Sequence, residues 1–199
     1  MIATPCFICG CMTKDRFDRM MVSSESGNNQ NDPLSIVAHE RASQYELCDE
    51  LERIADQLGG PVDVQLCEPA LFRLRHELPL CHQDEAILFD LLAAHKPEDK
   101  MLERCIELAA SEHTKIEYLA FELADPISDL SSSIAVNNQD AVGYLLRCCF
   151  EITRQHLRWE DAVVFFNLEN IFTEADISAL KAGLIRNRNS IGQKLRIVD

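Results

Sequence analysis

The stretch Leu145–Phe166, LLRCCFEITRQHLRWEDAVVFF, decides how the whole chain reads. Leu145, Cys149, Ile152, His156, Glu160 and Val163 follow one another at steps of four and three, the spacing of one helix face. His156 and Glu160 stand inside this otherwise apolar stripe. Facing a core without partners, a polar group costs roughly 2–7 kcal/mol and a charge costs more. An imidazole and a carboxylate one helical turn apart point at a common spot. A metal ion there would satisfy both.

The pattern recurs upstream. Leu102, Ile106, Ala109, His113, Ile116, Ala120 and Leu123 form a second stripe with one histidine. Leu78, His82, Glu85, Phe89 and Leu92 form a third, with His and Glu on the apolar face. Ile36, Ser43, Leu47, Leu51, Ile54 and Leu58 form a fourth, with His39 at its edge. His113 follows His39 by 74 residues, and His156 follows His82 by the same interval. Two helical hairpins are expected, each carrying a lone His and then a His with a carboxylate. Together they make an all-α, four-helix bundle, an architecture that builds metal sites from inward-facing residues.

Boundary signals place the elements. Asp32 is the expected N-cap of the first helix, with Pro33 at its first position, where the missing N–H costs nothing. Gly59-Gly60 stops that helix after Leu58. The second is expected from near Pro69 to His95, kinked at Pro79. The third spans Glu98 to Leu123 and is closed by Asp125-Pro126. A Ser/Asn-rich loop then leads to the fourth, Asp140 to Leu168. Thr173 and Asp176 form a capping box for a short final helix, Glu174 to about Ile185. Residues 1–31 read as a separate extension, 32–190 as the bundle and 191–199 as a polar tail. Cys6, Cys9 and Cys11 offer three thiols where a closed zinc site takes four ligands. The preferred reading is an extension with incidental thiols; transient metal binding and a disulfide are the alternatives.

With 19 basic and 33 acidic residues, the net charge is −14. That argues against nucleic acid and anionic membranes as partners. No apolar run approaches a membrane span, and no basic region precedes an apolar core as in a signal peptide. Nine cysteines are present, but Cys48, Cys105, Cys148 and Cys149 fall in helical patterns as small apolar residues. A reducing, cytoplasmic setting is expected.

The candidate metal ligands are His39, His82, Glu85, His113, His156 and Glu160. Four imidazoles and two carboxylates suit iron, manganese or zinc. Six ligands exceed the need of one tetrahedral zinc, so two ions bridged by Glu85 and Glu160 fit better. A ligating imidazole donates its other N–H to an outer acceptor, for which Glu40, Glu112 and Gln155 are candidates. His76 and His95 fall off the stripes.

The segments DPLSIVAHE, LPLCHQDEAILF, SEHTKIEYL and RQHLRWEDAVVFF together resemble the hemerythrin-like, HHE cation-binding family over about residues 32–190. That family carries a lone His, an HxxxE pair, a second lone His and a second HxxxE pair. His39 and His113 match the lone histidines, and His156 with Glu160 matches the second pair. The first pair departs from the pattern. Residue 86 is Ala, and Glu85 lies three residues from His82 and four from Cys81. Either His82 acts with Glu85 or Cys81 takes the histidine's place, and a mononuclear site is an alternative. The resemblance implies an up-down-up-down bundle with two non-haem iron ions bridged by carboxylates. It implies a protein that binds or senses dioxygen or a related small ligand, with Trp159, Phe165 and Phe166 keeping the site apolar. A di-iron enzyme (an oxidase, a peroxidase, or a factor in iron–sulfur repair or nitric oxide handling) is the alternative. A bundle that has lost its metal and acts in protein interactions is another. Removal of residues 1–31 should leave helicity by circular dichroism and metal content unchanged; loss of about one ion per chain would show that the N-terminal thiols hold it.

Overall fold

The computed structural model describes residues 32–134, 136–165 and 168–198, and these form a helical bundle without a strand among them. The thiols of Cys6, Cys9 and Cys11 and the ring of Phe166 lie outside the described residues. The elements are α1 (Pro33–Gln57), α2 (Val64–Phe72), a π-helical turn (Arg73–Glu77), α3 (Leu78–His95), α4 (Lys100–Ser131), α5 (Gln139–Val163), α6 (Leu168–Ile171) and α7 (Glu174–Val198).

The starts follow the capping chemistry. Asp32 accepts a hydrogen bond from the Ser35 N–H at 3.0 Å, with Pro33 opening α1. Asp99 takes the N–H groups of Met101 and Leu102, and Asn138 takes that of Ala141. Each cap satisfies donors that the first turn leaves unpaired. Thr173 and Asp176 form the expected reciprocal box.

The ends differ where proline was read as a stop. α4 continues through Pro126 to Ser131. Ile127 and Leu130 extend its apolar stripe and are buried. Burying two such side chains is worth about 1.5–3 kcal/mol each, which offsets the ~3 kcal/mol of an internal proline. Likewise, the second helix starts at Val64 rather than Pro69, capped by Asp63, because Leu66, Cys67 and Ala70 already pack inward. The C-terminal helix is not short. It spans 25 residues and runs through most of the stretch expected to be a tail. After its nucleus has formed, each added residue gains a hydrogen bond, and no proline interrupts it.

Pro79 does not disturb the spacing of His82 and Glu85. The irregularity lies upstream, in the π turn at Arg73–Glu77. There the wider winding makes room for a proline that would otherwise clash with the carbonyl four residues back. His82 and Glu85 therefore share one regular helix, α3, and both are buried.

α1 packs along α5, α2 along α4, and α4 along α5, while α7 lies against α3 and α1. The interior divides into two apolar clusters. One holds Leu47, Leu51, Ile54, Leu78, Ile116 and Cys149; the other holds Val37, Leu88, Phe89, Ala109, Val164 and Leu184. On α1, α3, α4 and α5 the polar candidates fall between the two: Arg41 lies between Val37 and Leu47, and His82 with Glu85 between Leu78 and Leu88. His113 falls between Ala109 and Ile116, and His156 with Glu160 between Cys149 and Val164. The site is a polar layer sealed above and below by hydrocarbon.

Gly183 lets α7 approach α3 closely; a Cβ there would stand 2.7 Å from Ile87 Cδ1 and 3.0 Å from its Cγ2. Gly183→Ala gains about 1 kcal/mol of helix propensity but overpacks the contact by about 1–3 kcal/mol. Chemical denaturation should show it neutral to destabilised by up to about 2 kcal/mol. Ile87→Val in the same chain should recover part of any loss.

Candidate metal centre

Four buried donors from three helices converge. Glu85 on α3, His113 on α4, and His156 and Glu160 on α5 each offer one ligand atom, all within 4.8 Å of one another. His113 Nε2 lies 2.9 Å from His156 Nε2 and 3.1 Å from Glu85 Oε2. His156 Nε2 lies 3.2 Å from Glu160 Oε1. Glu85 Oε2 and Glu160 Oε1 have no hydrogen-bond partner although both are buried. Such orphaned oxygens are costly in a dry interior. They face the two imidazole nitrogens, where a cation would satisfy them.

The outer contacts aim the rings. Glu112 accepts from His156 Nδ1 at 2.9 Å, and the same oxygen accepts from Trp159 Nε1 at 2.8 Å. With the proton on Nδ1, the Nε2 lone pair turns toward the cluster. Burial, and next the nearby His113, lower the His156 pKa to about 4, so the ring stays neutral at physiological pH. His82 is oriented in the same way by Glu117, at 2.8 Å from its Nδ1. Burial also lowers the pKa of His82.

His82 is not among the four converging donors. It stacks flat on His113, with ring centroids 3.9 Å apart, and its buried Nε2 has no partner. Its partner Glu117 is exposed and lines an open surface cavity of about 450 Å³, together with Leu74, Pro79 and Phe121. His82 and Glu117 thus lie between that cavity and the polar layer. Cys81 is buried as well, but it does not join the donor group, and burial raises its thiol pKa.

His39 does not reach the layer. It is exposed on α1, and the expected inward placement is corrected by the helix geometry. Arg41 is buried instead, and two residues amount to about 200 degrees of rotation, almost the opposite face. The inward stripe of α1 is Val37, Arg41, Gln44, Cys48, Leu51 and Ala55. The matching 74-residue intervals therefore have no counterpart in the site. Val163 likewise falls outside, half-exposed at the end of α5.

Arg41 is the residue the sequence reading passed over. Its NH1 donates to Glu160 Oε2 at 2.6 Å and to Glu85 Oε1 at 3.2 Å. Its NH2 donates to the Leu157 carbonyl and to Asp161 Oδ1, and its Nε donates to Asp161 as well. The guanidinium also lies over the Phe165 ring, 3.9 Å from its centroid. Gln44 donates to Glu85 Oε1, and Tyr45 donates to Asp161. A signal was present: Arg41 and Gln44 interrupt an apolar stripe just as His156 and Glu160 do.

The charges are unequal. Burial works against ionisation of Glu85, but the nearby His113 imidazole and the charge of Arg41 hold its pKa down at about 2. Burial and the neighbouring Glu85 push Glu160 up to about 8, even with Arg41 at hand. Of the proposed outer acceptors, Glu112 serves His156 rather than the neighbouring His113. Glu40 binds Arg188 of α7, and Gln155 is exposed.

No protein-family model matches the chain, and comparison with curated proteins and with solved structures finds no match. The donor geometry is therefore the ground for any functional reading. Ligation requires the carboxylate form, so Zn²⁺ binding near pH 7 should expel the Glu160 proton. Calorimetry in two buffers of different ionisation enthalpy should show about one proton released per ion, falling toward none above about pH 9. Absence of release near pH 7 would show Glu160 already ionised.

Proposed function

We propose that the protein is a non-haem metal protein of hemerythrin-like kind, holding iron in the polar layer and presenting it to dioxygen or a related small ligand. The observation that carries this reading is the convergence of Glu85, His113, His156 and Glu160, with two carboxylate oxygens left unpartnered. Mixed imidazole and carboxylate donors suit iron, with manganese and zinc as the competing ions. The residues present fit one such ion. When bound, iron would supply an open coordination position and an accessible change of oxidation state.

The up-down-up-down form of the bundle belongs to the same proposal. It is supported by the order in which α1, α3, α4 and α5 cross the two apolar clusters. α1 runs from the Val37 cluster toward the Leu47 cluster, α3 runs back, α4 runs forward and α5 runs back. The chain's own residues set the character of the pocket. Glu112 fixes the His156 ring. Phe89, Trp159 and Phe165 belong to the apolar cluster beside the polar layer. That surrounding keeps water out and strengthens each electrostatic contact within.

A second reading has its own observation. Arg41 already gives Glu85 and Glu160 a cationic partner, so the layer can also be read as a metal-free ion-pair network in a protein-interaction bundle. Metal analysis of protein purified without a chelating resin separates the two. His113→Ala and His156→Ala should each lower metal content and thermal stability together. Saturating the native state at 100-fold excess over the dissociation constant is worth about 2.7 kcal/mol. Cys81→Ser should retain the metal. A folded parent without metal, or variants with full metal and unchanged melting, would favour the metal-free network.

A further inference from the structure

We propose that Arg41 stands where a second metal ion would stand, so that the centre takes one ion and carries its other cation covalently. This rests on the metal-binding reading above and departs from the two-ion centre that the family resemblance implies.

The two carboxylates are divided in the manner of bridging ligands. Glu85 gives Oε1 to Arg41 NH1 and turns Oε2 toward His113. Glu160 gives Oε2 to the same NH1 and turns Oε1 toward His156. One nitrogen thus sits between two carboxylates on one side, and the imidazole nitrogens face the opposite oxygens. A bridged pair of ions would need both sides. The guanidinium holds its side firmly. Its five N–H donors all have acceptors in Glu85, Glu160, Asp161 and Leu157, and its face is covered by Phe165. A planar fork satisfied this fully is costly to displace from a buried site.

Donor supply agrees. α1 contributes no imidazole to the layer, because His39 is exposed while Arg41 points inward.

The test counts ions on the full chain. Native mass spectrometry with Zn²⁺ should give one ion per chain for the parent and for Arg41→Lys, and two for Arg41→His, which replaces the cation with a ligand. Loaded with Mn²⁺, the parent should give the six-line resonance of an isolated ion, and Arg41→His the multiline signal of a coupled pair. Two ions in the parent would overturn the proposal while leaving the metal reading intact. One ion in the parent, in Arg41→His and in Arg41→Gln would overturn it too, since the vacated side would then not be a metal position. A folded parent that binds none removes the metal reading and this proposal with it. If Arg41→His does not fold, the parent's count and resonance still decide, one isolated ion supporting the proposal and a coupled pair overturning it.

Discussion

The buried contact between the Arg41 guanidinium and the carboxylates of Glu85, Glu160 and Asp161 is the constraint on which the rest of the structure depends. Two ionisable carboxylates in a dry interior repel each other and resist ionisation. A cation among them lowers that cost, and Arg41 supplies it. Burial opposes the charge on Arg41, and the three carboxylates more than offset that cost. The contact joins α1, α3 and α5, and the imidazole of His113 adds α4. A single polar layer thereby ties together the register of α1, α3, α4 and α5. Apolar packing alone tolerates sliding and repacking far better than a network of directional bonds does.

The layer is supported from outside as well as from within. Asp84, one residue before Glu85, is fully buried and accepts from Asn187 and Arg188 of α7. Arg188 also binds Glu40, one residue before Arg41. The C-terminal helix thus holds the backs of the two elements whose fronts carry Glu85 and Arg41. Its length follows from this role, since these contacts begin beyond the point where the capping box and the Leu180–Leu184 stripe would have sufficed for a short helix.

Much of the helical order was legible because capping residues and apolar spacing act locally. Asp32-Pro33 and Thr173 with Asp176 mark starts whose chemistry is complete within four residues. Positions where distant packing outweighs a local signal were not legible. Pro126 reads as a stop until the burial of Ile127 and Leu130 enters the balance. The burial of His82, Glu85, His113, His156 and Glu160 on α3, α4 and α5 was legible, although His82 stands outside the four converging donors. It was misread on α1. His39 attracted attention as a metal-ligand residue type, while Arg41 and Gln44 carried the same signal of polar residues in an apolar stripe. The role of Arg41 depends on Glu160 and Asp161, more than 115 residues away, and no local pattern announces such a partner.

That separation has a consequence for the order of events as the chain folds. The first hairpin can bring Arg41 to Glu85, 44 residues on. The pocket facing the imidazoles does not exist until α5 supplies His156 and Glu160. Until α5 docks, Glu85 and His113 lack the groups that close the layer over them. Afterwards both residues are dry and fixed. A layer assembled this way closes only when α5 docks, so the surroundings of Glu85 and His113 are set by the last of the four helices that meet in it rather than by either hairpin alone.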